Sequence, residues 1–220
     1  MIPLTVRSNY SFMWGTAPVK QVCRAARRLG YTHLALTDTD NLCGLWPFLG
    51  ACRQEGLTPI VGAEVTDPQR RQRAVCLVAN ESGYRNLCRM LTRRHTNENF
   101  RLKDAVAAHK NGLVVLTQNA DLLGSWHAEG VWVAGAMPRR PLPATHRLRR
   151  MADRLGLPLV AAGMGHGSGA HAPNEYMVIE AAPGSKVAGM EGGEVLLPHE
   201  AHRQGRARPP AVLEGRIQGP

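Results

Sequence analysis

HLALTDTDNLCGLWPFLGACRQEGLTPIVGAEV, residues 33–65, reads as strand, helix, strand. His33 to Thr37 (HLALT) is a short apolar run bounded by polar residues, as a buried strand should be. Leu42 to Glu55 carries Leu45, Leu49 and Cys52 on one helical face, and Pro59 to Val65 (PIVGAEV) is a second β-rich run. Strands that alternate with helices of this length predict crossover connections, parallel pairing and an α/β fold.

The same alternation continues in both directions. Upstream, Leu4 to Val6 reads as a short strand. Thr16 is placed to cap a helix that opens at Ala17 and Pro18, keeps Val19, Val22, Cys23, Ala26 and Leu29 at helical spacing, and stops at Gly30. Downstream, a polar, arginine-rich loop precedes the strand AVCLVA (residues 74–79). A helix over 81–94 follows, with Tyr84, Leu87, Cys88 and Leu91 inward, and then a helix over 101–109. Strands are expected at 113–117, 131–136 and 158–162, with a basic helix over 144–155 before the last of them. That makes seven strands. From Ala182 the chain is rich in Gly, Pro, Arg and His and reads as a weakly ordered tail, apart from a short strand near 194–197.

At 220 residues one main domain is expected. Five cysteines form no CxxC pair and sit mostly among apolar residues, which speaks against a disulfide framework or zinc knuckle. The sequence has neither an 18-residue apolar run nor a charged-then-apolar leader, so the reading is a cytoplasmic protein without a membrane partner. The formal charge is +10, and arginines cluster at 70, 71 and 73, at 93 and 94, and at 147, 149 and 150. Such an excess suits a polyanion such as DNA, and it equally suits solvated helix faces. Aromatic residues are 5% of the chain, which argues against a base-stacking platform.

In βα barrels the functional groups stand at the C-terminal ends of strands. The residues there are Arg7 and Asn9 after the first strand, Asp38, Thr39 and Asp40 after the second, and Glu64 at the end of the third. Arg73 begins the fourth, Asn119 follows the fifth, and Met164 and His166 follow the last. Asp38 and Asp40 have two readings, as catalytic carboxylates or as caps of the helix near Leu42. The glycine-rich GMGHGSGAH after the last strand reads as a flexible loop rather than a phosphate cradle. His33, His95 and His109 read as surface or loop residues, and Trp14, Trp46, Trp126 and Trp132 as fillers of barrel or interface gaps.

Three segments, RSNYSFMWG (7–15), LALTDTDNLCGLWPFLGACRQEGLTPIVGAEV (34–65) and LVANESGYRNLCRMLTRRH (77–95), occur with PLVAAGMGHG (158–167) following in order. Together they resemble the PHP (polymerase and histidinol phosphatase) domain, most closely the N-terminal PHP domain of bacterial C-family DNA polymerases, the polymerase III alpha subunit and its error-prone relatives. The resemblance spans residues 1–182 and implies a distorted seven-stranded (β/α) barrel. Residues 183–220 would then be the tail or the remnant of a link to a polymerase core.

The resemblance also implies a metal site, and here the carry-over is poor. Active members hold two or three metal ions with His-x-His on the first strand, where this chain has Arg7 and Asn9. The acidic position beyond is Trp14. The Asp-His pair after the second strand is Asp38 and Thr39, with Asp40 retained beside them. A later histidine corresponds to Arg73, a Cys or His to Asn119, and the Asp of the final Asp-x-His to Met164. Glu64 and His166 keep ligand chemistry. A residual single-metal site would use Glu64, His166 and Asp40 with Zn, Mn or Mg; otherwise no cofactor is expected. Arginine cannot donate a lone pair to a metal, so Arg7 and Arg73 are expected to pair with Glu64 and the aspartates and balance charge without one.

Three functions follow from the resemblance. One is a non-catalytic domain that serves as a structural and docking module of a C-family polymerase, partnered by the polymerase core or other replication and repair proteins. Another is a metal-dependent phosphoesterase or 3'-5' exonuclease with a reduced site. The third is a free-standing basic nucleic-acid-binding module. Polymerisation is not expected of these residues, because the palm carboxylates that bind magnesium belong to a module several hundred residues further on.

Overall fold

The computed structural model describes residues 2–137 and 143–161. Twelve elements alternate along them: α1 (Val19–Arg28), β1 (His33–Thr39), α2 (Leu45–Glu55), β2 (Thr58–Thr66), β3 (Arg73–Val78), α3 (Glu81–Thr96), α4 (Leu102–Ala108), β4 (Leu113–Thr117), α5 (Ala120–Ala128), β5 (Trp132–Met137), α6 (Pro143–Leu155) and β6 (Leu159–Ala161). The six strands form one curled, half-barrel sheet in the order β1-β2-β3-β4-β5-β6.

The sheet is mixed, not wholly parallel as expected. β1 pairs parallel with β2, and β4, β5 and β6 are mutually parallel, but β3 runs antiparallel to both of its neighbours. The reason lies in the connection. A parallel return needs a crossover of a dozen or more residues, whereas residues 67–72 leave room only for a hairpin, closed by the Asp67 N–H on the Gln72 carbonyl at 2.8 Å. The arginine-rich loop of the sequence is that hairpin.

Among the described residues six of the expected strands form, and the first, Leu4 to Val6, does not, because residues 2–7 run beside β1 without joining its ladder. The Ala35 N–H donates to the Pro3 carbonyl and the Thr37 N–H to the Val6 carbonyl. Two residues of β1 therefore match three of the N-terminal segment, which breaks strand register, and Pro3 has no N–H to return. The helices match expectation to within a few residues, with two differences. The N-cap of α1 is Pro18 rather than Thr16, and α2 begins at Leu45 with Gly44 as N-cap and no side-chain cap, so neither Asp38 nor Asp40 caps it. α5 is an element the sequence reading passed over. Asn119 caps it, its Oδ1 accepting from the N–H groups of Asp121 and Leu122.

The two faces of the sheet are packed differently. Inside the curl, Ala35, Val75, Leu77, Leu116, Ala134 and Ala136 are covered by Ile2 and Leu4 of the N-terminal segment. Outside, α3 to α6 pack over Ala63, Val65, Cys76, Val115 and Val133, with Trp126 fully buried among them and its Nε1–H donating to the Lys103 carbonyl. α1 and α2 cover Leu34 and Leu36 of β1. Among the described residues no helix is long and apolar enough to cross a membrane. The tail, the strand near 194–197, the GMGHGSGAH loop and the boundary at residue 182 lie outside the described residues.

Candidate functional site

The parallel pairing of β1 with β2 and the antiparallel pairing of β2 with β3 put Thr39, Glu64 and Val75 in one row, at the end of the sheet where β1 and β2 finish. Because β3 runs the other way, its first residue, Arg73, arrives at this same end. Glu64 is 1% exposed, and both of its oxygens are occupied. Arg7 Nη2 donates to Oε1 at 2.8 Å, Arg73 Nη1 lies 3.7 Å from that oxygen, and the Thr39 hydroxyl donates to Oε2 at 3.0 Å. Burying a carboxylate costs several kcal/mol unless it is paired and hydrogen-bonded, and here both conditions are met.

Trp14 completes this cluster. The guanidinium of Arg7 lies 5.4 Å and that of Arg73 5.1 Å from the indole centroid, within cation–π range. Trp14 is held by a tight loop in which the Ser11 N–H donates to the Ser8 carbonyl, and the N–H groups of Trp14 and Gly15 both donate to the Ser11 carbonyl. Gly15 is obligatory there, since a Cβ would lie 1.9 Å from the Ser8 carbonyl oxygen.

Asp38 stands on the other face of β1, as the period of two along a strand requires. It is 1% exposed and organises the same loop: Oδ1 accepts from the Ser8 N–H and the Ser11 hydroxyl, each at 2.7 Å, and Oδ2 from the Ser8 hydroxyl at 2.8 Å. Asp40 lies just past the strand at φ 55°, a left-handed conformation that aspartate tolerates. Its Oδ1 accepts from the Thr66 N–H at 2.8 Å. Its Oδ2 accepts from the Thr66 hydroxyl at 2.5 Å and lies 3.3 Å from Arg94 Nη2. His95 donates through Nε2 to the Asp40 carbonyl at 2.6 Å.

The structure thus brings Arg7, Trp14, Thr39, Glu64 and Arg73 together, with Asp38 and Asp40 on either side. Asn9 is exposed, and its backbone N–H donates to the Ala17 carbonyl. Asn119 serves α5, and Met164 and His166 lie outside the described residues. Sequence reasoning missed Ser8, Ser11, Thr66 and Arg94. Only Arg94 left a signal, because Leu87, Leu91 and Arg94 share one helical face and a cation on an inward face calls for a buried acid. Among the described residues no group of three or more His, Cys, Asp or Glu is placed to hold a metal ion.

The PHP domain family matches residues 3–140. The chain belongs to the PHP domain family. It is 33% identical over 175 residues to the error-prone DNA polymerase of Pseudomonas fluorescens, a match covering 72% of this chain and 17% of that one. It is 32% identical over 133 residues to the DNA polymerase III subunit alpha of Treponema pallidum, covering 53% of this chain and 11% of that one. The chain therefore spans a small fraction of the curated relatives it matches.

Solved structures of other proteins share the fold. An amidohydrolase from Chromobacterium violaceum superposes with a TM-score of 0.59 at 17% identity, over 83% of this chain and 92% of its own. A protein of Bifidobacterium adolescentis assigned as a metal-dependent phosphoesterase does so at 0.53 and 17%, over 76% of this chain and 88% of its own.

Proposed function

We propose that this chain is a PHP domain of the C-family DNA polymerase type whose metal site has been replaced by arginine–carboxylate pairs, and that it works in the cytoplasm as a structural and docking module beside a polymerase core. The observation that carries this reading is the Arg7–Glu64 pair. By the family resemblance Arg7 stands where active members have a metal-ligating histidine, and it donates to Glu64, an acidic ligand position that this chain keeps.

The described donors do not fit a metal cluster. Glu64, Asp38 and Asp40 have every carboxylate oxygen committed to a protein donor, and Asp38 faces away from Glu64 across β1. A cation entering there would have to displace Arg7, whose permanent charge already neutralises Glu64.

Phosphatase and 3'-5' exonuclease assays with added Mn, Zn or Mg test this reading. Absence of turnover above the level of the Glu64→Gln and His166→Ala variants is expected. Metal-stimulated hydrolysis abolished by either change would overturn it and favour a reduced-metal phosphoesterase. The docking role predicts stable co-purification with a C-family polymerase core, and a core that elutes separately from this chain would contradict that part.

A further inference from the structure

We propose that the rim made by residues 10–14 and the start of α2 is a docking surface for a protein segment that presents an apolar anchor beside a carboxylate. This rests on the docking reading above and names the surface and the partner's chemistry. Phe12, Met13 and Trp46 are 86%, 84% and 80% exposed, and Tyr10 is 41% exposed.

These side chains belong to one surface. The Tyr10 ring lies against Gly44, where a Cβ would come within 3.0 Å of it, and Asn41 Nδ2 donates to the Tyr10 carbonyl. Trp46 follows two residues later, and the other end of the loop is Trp14 with Arg7 and Arg73 over its ring. Met13 is held at φ 66°, strained backbone for a residue with a side chain, and it keeps an apolar group in water. Clustered exposed apolar side chains mark interaction sites, and Trp, Tyr, Phe, Met and Arg are the types enriched at protein interfaces.

Charge decides the occupant. Among the described residues, Arg7 and Arg73 share the single carboxylate of Glu64, at 2.8 and 3.7 Å, so Arg73 has no carboxylate of its own. Its side chain is 28% exposed, with the guanidinium over the Trp14 ring and making no hydrogen bond to another described residue, so its donors face an incoming acid. One carboxylate on the partner gives Arg73 a pair of its own in the geometry guanidinium prefers. A nucleic-acid strand would instead require a track of cations along its backbone. Residues 8–15 and 41–48 contain no lysine or arginine.

The test is a random-peptide display library selected on the intact chain. Enriched peptides are then titrated by fluorescence polarisation against the wild type and the Phe12→Ser, Trp46→Ser and Arg73→Gln variants, with oligothymidylate as competitor. Enriched peptides are expected to combine Asp or Glu with Phe, Leu or Trp. Each variant should bind them roughly tenfold or more weakly, with Arg73→Lys restoring part of the loss. Phe12→Ser and Trp46→Ser should unfold as the wild type does, because both side chains are solvent-exposed.

Enrichment of no peptide whose binding depends on these residues, or of peptides lacking a carboxylate, overturns the proposal. So does oligothymidylate binding with the same dependence, which would make the rim a nucleic-acid surface. Hydrolysis is assayed separately, so failure here leaves the arginine-replacement reading standing, and metal-stimulated hydrolysis there leaves this test intact.

Discussion

Arg7 and Glu64 make a pair whose members depend on each other unequally. Glu64 is buried, whereas Arg7 keeps 17% of its side chain exposed, so removing the arginine strands the acid while removing both strands little. Arg7→Met is expected to lower unfolding free energy by about 2–4 kcal/mol, and Arg7→Met with Glu64→Leu should recover most of that loss in the same denaturant titration. Asp38 gathers three donors from Ser8 and Ser11, and Asp38→Asn replaces one accepting oxygen by a donor that faces a hydroxyl. A cost of about 1–3 kcal/mol follows. Faster amide hydrogen exchange confined first to residues 8–15 is the measurement that separates this loop effect from global loss. The pairing of Arg7 with Glu64 was legible in the sequence because a permanent cation stood where a ligand belonged. Asp38 was not, since TDTD names two aspartates that the period of two would put on one face, and only the left-handed backbone at Asp40, past the end of β1, sends them to different surroundings.

At the level of elements, residues 33–65 were readable because helix and strand periods alternate cleanly there, and β1, α2 and β2 formed within a few residues of their expected bounds. Strand direction was not readable from periodicity, which is the same for parallel and antiparallel pairs; it came from the length of the 67–72 connection. That reversal brings Arg73 to Glu64. α5 escaped notice because its sequence, ADLLGSWHA, carries a glycine and a tryptophan that blur the helical stripe, although Asn119 before an acidic first turn is a cap signal. Asn119→Ala should therefore cost about 1 kcal/mol in unfolding free energy, with helicity lost by circular dichroism. A metal-ligand role for that position would instead leave stability unchanged.

Over the whole molecule, charge acts on stability as well as on partners. His109 sits beside Arg93, whose guanidinium has only donors, so its Nε2 lone pair must accept the contact at 3.3 Å. Partial burial, and then the Arg93 and Arg89 charges, hold its pKa below the ordinary histidine value. The folded state thus binds this proton less readily than the unfolded chain, and stability is full above about pH 6.5 and falls as pH drops through the lowered value. His109→Asn should flatten that slope in unfolding titrations run between about pH 7 and pH 5.

The larger question is whether the mouth of the curled sheet holds arginine or metal against Glu64. Elemental analysis of the full chain, purified without chelators and then equilibrated with Zn or Mn, answers it most directly. Metal far below one ion per chain, unaffected by Glu64→Gln, is the expected result; near-stoichiometric metal that disappears with Glu64→Gln would contradict the replacement of the metal site by Arg7 and Arg73.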